Sequence, residues 1–147
     1  MVLNYDQKLA KHQASQKRNI ENAISRKKLN RESTLSAAIS KVKEQARSDC
    51  WCSTHDNCFH FTIGKGESEA HIMAKFKRFI ELRRMGYTVF SELRWKGKGG
   101  RSDLVVCGNN GDVWIEEILC SETEEKLLAK TDKYPFPIKK FYAKEIL

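Results

Sequence analysis

Apolar positions recur at helical spacing in one part of the chain and then change to short extended runs. Ile72, Phe76 and Phe79 are three or four residues apart, as on one face of a helix. This spacing predicts a helix over 67–85, which Gly86 would end. The elements predicted after it are three strands, a helix and a last strand, at 87–90, 104–107, 113–119, 122–133 and 138–146. The order αβββαβ predicts a mixed α/β (α+β) fold, with a sheet flanked by helices.

The first 49 residues follow a different pattern. They contain no glycine or proline, and a full apolar stripe is present only near their end, where Leu35 and Val42 share one helix face. Upstream, large apolar residues are sparse and basic residues are frequent. We expect two helical pieces, with Asn30 or Ser33 as the cap of the second.

Charge divides the chain at the same boundary. The chain has 27 lysines and arginines against 19 acids, a net charge of +8, and 11 of these basic residues lie in 1–49 against five acids. Such an excess favours an anionic partner, most simply a nucleic acid, and an ordinary basic surface is the alternative. We expect a basic helical arm over 1–49, with Lys27 and Lys28 on phosphates, a Cys/His-rich joint over 50–63 and a globular domain over 64–147. Pairing of the arm with a second copy, as a homodimer, stays open.

The hydropathy of the chain argues against a membrane protein. No apolar run approaches the ~20 residues that a membrane helix needs. The first residues lack the apolar centre of a secretion signal. The sequence therefore predicts a soluble, intracellular (cytoplasmic) protein with no membrane partner.

The joint is dense in metal-binding residue types. Three cysteines and two histidines fall within 11 residues. Thiolate and imidazole are the ligands that structural Zn²⁺ prefers, so a zinc site is one interpretation. Its ligands would be Cys52, His55, Cys58 and His60. Buried free cysteines, or a disulfide, are the alternatives.

Four acids lie at the predicted strands and helix. Glu69 lies on the helix, Glu92 ends the first strand, Asp103 begins the second and Glu116 lies within the third. A carboxylate inside an apolar strand is costly unless it is paired or binds a cation, and carboxylate oxygens suit Mg²⁺ or Mn²⁺. We therefore expect these acids to converge on a divalent metal. Glu117 points to the other face of the strand, and a register slip of one residue would make it the ligand instead.

The segment between the first two strands is basic and rich in glycine. We expect its cations to contact phosphates and its tryptophan to stack on a base or sugar; a solvated hairpin is the alternative. These residues are Arg94, Trp95, Lys96, Lys98 and Arg101. Glu92 would be either a further metal ligand or an ion-pair partner of Arg94 or Arg101.

Taken together, residues 64–147 resemble the PD-(D/E)xK nuclease superfamily. The resemblance is carried by the helix with Glu69 and by three segments, GYTV at 86–89, GRSDLVV at 100–106 and WIE at 114–116. It implies the restriction-endonuclease-like fold with its αβββαβ core. It also implies that Asp103 and Glu116 bind the divalent metal and that Glu69 joins them.

Two positions depart from the superfamily pattern. The lysine expected two residues after the third-strand acid is Ile118, and the resemblance implies that Lys126 or Lys130 on the next helix replaces it. Ser102 stands where many members have proline. The resemblance implies a Mg²⁺- or Mn²⁺-dependent nuclease that hydrolyses nucleic acid, with DNA favoured. A nucleic-acid-binding module without activity and a zinc-containing regulator are the alternatives.

Overall fold

The computed structural model describes residues 4–50, 61–97 and 100–147 of the chain. Within them it forms a mixed α/β fold with one four-stranded sheet. The elements are α1 (Tyr5–Gln45), α2 (Glu69–Arg84), β1 (Thr88–Ser91), β2 (Leu104–Cys107), β3 (Val113–Leu119), α3 (Glu124–Thr131), β4 (Ile138–Tyr142) and α4 (Ala143–Ile146).

The strands follow chain order across the sheet, β1-β2-β3-β4. The first three form an antiparallel meander, and β4 pairs parallel to β3. A parallel pair needs a crossover connection, and the segment that contains α3 supplies it. The crossover leaves β3 at the end of the sheet where β2 begins, and it returns along the face that α1 covers, where Tyr134 and Phe136 pack.

A helix covers each face of the sheet. α2 packs Phe79 and Leu82 on one face, and the C-terminal third of α1 packs Ala38 and Val42 on the other. The strand side chains that meet them are Val89, Leu104 and Val106 on the α2 face and Phe90, Val105 and Ile115 on the α1 face. Because both faces are buried, β2 is a continuous apolar run rather than an alternating one.

The course of α1 fixes the two ends of the sheet. Thr34 Oγ1 donates a hydrogen bond of 2.6 Å to the carbonyl of Asn109, in the turn between β2 and β3. Thirteen residues later, Arg47 N–H donates to the carbonyl of Arg94, just after the end of β1 and next to the start of β2. α1 therefore crosses the sheet from the β2–β3 turn to the end at which β2 begins. Everything before Thr34 extends past the turn.

Three expected elements are corrected. α1 is one helix that begins at the cap Asn4, because no glycine, proline or competing cap interrupts it, and Asn30 and Ser33 lie inside it. On α2 the buried face carries Lys75 and Leu82, whereas Phe76 is 44% exposed. The last strand ends at Tyr142 and turns into the short helix α4.

The candidate zinc ligands lie outside the described residues. These are Cys52, His55, Cys58 and His60. The zinc interpretation of the joint therefore stays a prediction.

Candidate functional site

Ionisable side chains converge where β2 begins, around a cavity of about 550 Å³. Glu67 and His71 line it from the N-terminal end of α2, Asp103 from the start of β2, and Lys130 from α3. Three separate parts of the chain thus contribute to one site. The cavity is lined by the start of β2, the end of β3, the N-terminal end of α2 and α3. Because these elements are fixed by the sheet, the fold itself holds the groups together.

Asp103 lies at the centre of this arrangement and is 6% exposed. Its Oδ2 atom accepts a hydrogen bond of 2.8 Å from Ile118 N–H and lies 3.2 Å from His71 Nε2. Burial by itself would raise the pKa of Asp103, but the hydrogen bond and charge of His71 outweigh it and lower the pKa. Asp103 is therefore held as a carboxylate.

Glu117 is the acid of β3 that joins Asp103. Its Oε1 atom accepts hydrogen bonds of 3.1 Å from Asp103 N–H and from the Tyr134 hydroxyl. Its Oε2 atom lies 2.5 Å from Lys130 Nζ. Burial, and then the charge of Asp103, raise the pKa of Glu117 to about 7. Near neutral pH this group is poised between its neutral and charged forms.

Lys130 reaches the site from α3. Burial alone would lower its pKa, but the charge and hydrogen bond of Glu117 raise it, so the ammonium group stays charged. Lys130 faces the cavity through which a ligand would enter. Lys126, the other lysine considered for this role, is exposed on α3.

His71 bridges two acids. Its Nδ1 atom lies 2.9 Å from Glu67 Oε1, and its Nε2 atom lies 3.2 Å from Asp103 Oδ2. Each ring nitrogen thus faces a carboxylate, which suits the doubly protonated ring, since both nitrogens then donate. Asp103, through its hydrogen bond, raises the pKa of His71 in spite of burial. The imidazole of His71 thus bridges two acids, and both contacts favour its protonated form.

The same three residues fit a divalent ion. One ligand atom from each of Glu67, His71 and Asp103 lies within 4.8 Å of the others. Neighbouring ligands of an octahedral ion at ~2.1 Å are roughly 3 Å apart. The two short contacts of His71 use different ring nitrogens, and one ion binds only one of them, so the three side chains would have to draw closer together around an ion. Two carboxylates and one imidazole suit Mn²⁺ as well as Mg²⁺. To act as a ligand, His71 would first have to lose its extra proton.

A second layer of charge lies behind this trio. Lys75 is completely buried, and its Nζ atom contacts Glu67 Oε1 at 2.7 Å and also Glu92. Burial by itself would raise the pKa of Glu67, but the hydrogen bond from Lys75 lowers it overall. Glu92 has a backbone φ of 60° and lies 2.5 Å from Arg101 Nε, so it serves as an ion-pair partner. Burial raises the pKa of Glu92.

Two acids expected at the metal lie elsewhere. Glu116 points to the α2 face, because successive residues of a strand alternate, and it accepts hydrogen bonds from Arg78 Nε (2.7 Å) and Trp114 Nε1 (3.0 Å). Glu69 is the exposed first residue of α2 and does not line the cavity. The structure therefore brings Glu117 and Glu67 to Asp103 instead.

The basic segment after β1 is only partly at the surface. Trp95, expected to stack on a base, is 1% exposed and packs edge-on against Phe136, because the core takes up its large apolar ring. Arg94 and Lys96 are exposed, and Arg101 lines the cavity. Lys98 lies outside the described residues, and Lys27 and Lys28 are exposed on α1.

Sequence reasoning missed several site residues for which a signal exists. Glu67, His71 and Lys75 are spaced by four, so they form one polar row that continues along α2. That row lies beside the apolar stripe, and its spacing of four residues could have predicted that these three side chains share one face. Tyr134 gave no such signal, because its hydroxyl reaches Glu117 only through the crossover after α3.

Comparison of the chain with family models, curated proteins and solved structures finds no match. Within the described ranges, no helix combines the length and the apolar character needed to cross a membrane. What the chain does is therefore inferred from the arrangement of its own side chains.

Proposed function

We propose that this chain is a divalent-metal-dependent nuclease that hydrolyses phosphodiester bonds, with DNA as the first substrate to test. One observation carries the proposal: Asp103, Glu117 and Lys130 meet at one end of the sheet, and His71 of the facing helix contacts Asp103. Two acids can hold a divalent ion and a lysine can stabilise negative charge on a phosphate, which are the functions that the resemblance implies for these groups.

The topology supports the same proposal. A sheet in chain order, with an antiparallel meander followed by a parallel strand after a crossover helix, agrees with the restriction-endonuclease-like core that the resemblance implies. If the core is of this kind, Asp103 is the acid at the start of β2 that the resemblance implies. Glu117 takes the role expected of Glu116, and Lys130 takes the role of the lysine missing at Ile118.

Each residue has a role that follows from its position. Asp103, with Glu67, His71 or Glu117, would hold Mg²⁺ or Mn²⁺. A bound ion would supply charge stabilisation to the phosphate and lower the pKa of an attacking water. Lys130 keeps a positive charge beside Glu117, where it would orient that water or stabilise negative charge on the phosphate.

Cations around the cavity favour an anionic substrate. Lys65, Arg101 and Lys130 all line it, and together they would attract a phosphate to the acids. Part of the charge of Arg101 is already balanced by Glu92. Lys130 is likewise paired with Glu117, so Lys65, which is exposed, is the lining cation that would be most available to a phosphate next to the cleaved bond.

The test is cleavage by the purified full-length chain. Labelled single-stranded DNA, duplex DNA and RNA are incubated with Mg²⁺, with Mn²⁺ and with a chelator. We expect metal-dependent cleavage that Asp103→Asn abolishes. Lys130→Ala should lower the rate about a hundredfold or more, whereas Lys126→Ala, on the same helix, should leave it unchanged.

Two outcomes would contradict the proposal. Binding of nucleic acid without cleavage under any metal would identify a module without activity, as Ile118 at the usual lysine position already permits. Undiminished cleavage by Asp103→Asn, with an unchanged melting temperature, would refute the assigned site.

A further inference from the structure

The N-terminal part of α1 has no partner within the described chain. Every residue from Asn4 to Thr34 is exposed, and burial begins only at Leu35 and Ala38. The part of the expected basic arm (1–49) that packs on no other described part of the chain is therefore residues 5–33, and we call these residues the arm. At ~1.5 Å per residue, the arm extends about 43 Å beyond the sheet.

The arm points away from the candidate site. It leaves the sheet at the β2–β3 turn, where Thr34 bonds to Asn109, whereas Asp103 lies at the opposite end of β2. Six residues of extended chain between Asp103 and Asn109 correspond to about 20 Å. The arm of this copy therefore cannot hold the phosphates that lie at its own cavity.

Charge on the arm is arranged on two opposite sides. The arm carries eight lysines and arginines against three acids. At ~100° per residue, one group of four cations falls within an arc of about 80°, and the other falls within about 100° on the reverse side. The first group is Lys8, Lys11, Arg18 and Arg26, and the second is Lys17, Lys27, Lys28 and Arg31.

Two charged flanks match one kind of partner. The major groove of B-form DNA, roughly 12 Å wide, admits an α-helix and has a phosphate strand on each side. A helix with cations on both sides can reach both strands at once. The major groove of an RNA duplex is too deep and narrow for this arrangement.

A second copy of the chain fits the arm less well. Of its apolar residues, Leu9 and Ile20 share one side but are 11 residues apart, and only Ile24 follows at helical spacing. A coiled coil needs apolar residues at about every 3.5 positions. Pairing would also bring together two arms that each carry a net charge of +5.

From this geometry we infer that the arm binds duplex DNA in the major groove, at a distance of about 20 Å or more from the site. The inference deepens the proposed function and rests on it for the substrate class. It makes binding bipartite: a short duplex can occupy the arm or the site, and only a longer one can occupy both.

Binding should also order the arm. A helix that buries almost no apolar surface is marginal alone, so its free form frays. Contact with phosphates would offset that cost, and the helical circular-dichroism signal should rise when duplex is added.

The experiment compares three forms of the chain, each with Asp103→Asn so that nothing is cleaved. One has the native arm, one has the four cations of the first group changed to glutamine, and a control has Lys41→Gln and Lys43→Gln. The control residues are exposed on the part of α1 that covers the sheet. Affinity is measured on duplexes of 10 and 40 base pairs over a range of salt concentrations.

We expect neutralisation of the first group to make the log–log salt slope shallower by roughly 2–4 units on the 40-base-pair duplex, with little change in the control. The affinity gained from lengthening the duplex should largely disappear. An unchanged slope, together with a sedimentation mass that falls when the arm is neutralised, would overturn the inference in favour of pairing between copies.

A cleavage assay on the native-arm and neutralised-arm forms with Asp103 restored distinguishes failure of the nuclease proposal from failure of this one. A chain that binds long duplex through the arm but never cleaves it would refute the proposed activity and support the arm's role. If short and long duplexes are both cleaved at rates that do not change when the arm is neutralised, the activity would be supported and the arm's role overturned.

Discussion

Glu116 and Glu117 are neighbours in β3, and both are fully buried, yet their surroundings differ. On the α2 face, Glu116 is closed off by two hydrogen bonds from Arg78 and one from Trp114. On the α1 face, Glu117 shares its space with a second acid, Asp103, and its cation comes from Lys130 at an open cavity.

The difference shows what makes a buried acid available for chemistry. A buried carboxylate that accepts its hydrogen bonds from a packed arginine and an indole has a structural role and is not available to bind a further cation. A carboxylate beside another acid experiences repulsion between the two negative charges, and a cation bound from solution can reduce that repulsion. Two residues that are adjacent in sequence therefore have separable expected roles.

The sharpest contrast is in catalysis. Glu117→Gln should lower metal-dependent cleavage about a thousandfold, because a neutral amide cannot hold a cation or balance Lys130. Glu116→Gln should retain most of the activity, since its side chain lies on the other face of β3. Rates are compared at saturating Mn²⁺, and equal losses in both variants would remove the distinction.

Stability should show the reverse order. Arg78→Ala leaves Glu116 buried without its cation and should reduce the free energy of unfolding by about 3 kcal/mol. Lys130→Ala should cost far less, because that side chain is 30% exposed and lines the cavity, and because Glu117, with its pKa raised to about 7, can bind a proton in place of the lost cation.

Urea unfolding of both variants measures this difference. As a check on the cause, Arg78→Met combined with Glu116→Leu should recover much of the lost stability, because no charge then stays buried. Failure of the double variant to recover would show that the arginine acts by shape and not by charge.

The pH dependence of the metal-free chain is a smaller effect with a definite sign. The pKa of Glu117 is raised from 4.5 to about 7, so between these values the folded chain binds more protons here than the unfolded chain. The free energy of unfolding should therefore fall as pH rises from about 5 to 7, by up to roughly 1.4 kcal/mol per unit. His71, whose pKa is raised above 6.5, adds a fall of the same sign that begins only near pH 6.5.

Denaturation with urea in the presence of a chelator, at half-unit steps of pH, measures this fall. Glu117→Gln has no proton to lose and should flatten the curve over that range. If the variant follows the native curve, Glu117 does not titrate as its surroundings indicate.

Glu69 provides the smallest effect and the control for α2. Glu69→Ala should change stability by less than about 0.5 kcal/mol and leave cleavage unchanged, since the side chain is exposed. Glu67→Gln, two residues earlier, should weaken Mn²⁺ binding. A loss of activity in Glu69→Ala alone would restore the expectation drawn from the sequence.

Much of the sheet could be predicted because its strands are short apolar runs between clear turn signals. Leu104–Cys107 and Val113–Leu119 were predicted with the bounds observed. The choice between Glu116 and Glu117 was not predictable in the same way. In a strand buried on both faces, no polar alternation shows which side of the strand each residue occupies.

Tertiary contacts decided the remaining differences. The apolar body of Trp95 favours the core over the solvent, although it lies in a basic, glycine-rich segment. Lys75 is buried because Glu67 and Glu92 surround its ammonium group, and these partners come from separate parts of the chain. Local spacing reveals the row that joins Glu67 to Lys75, but it cannot reveal the long-range pairing of Lys75 with Glu92.

The weak attachment of α3 has a consequence for motion. Among the α3 side chains that the structure describes, only Leu127 is fully buried, and the ion pair of Lys130 with Glu117 adds the main polar contact. A segment held so lightly opens locally at a much lower free energy than the whole chain unfolds. Amide hydrogens of α3 should therefore exchange with deuterium well before those of β3. Lys130 can thus leave Glu117 and return while the sheet stays closed.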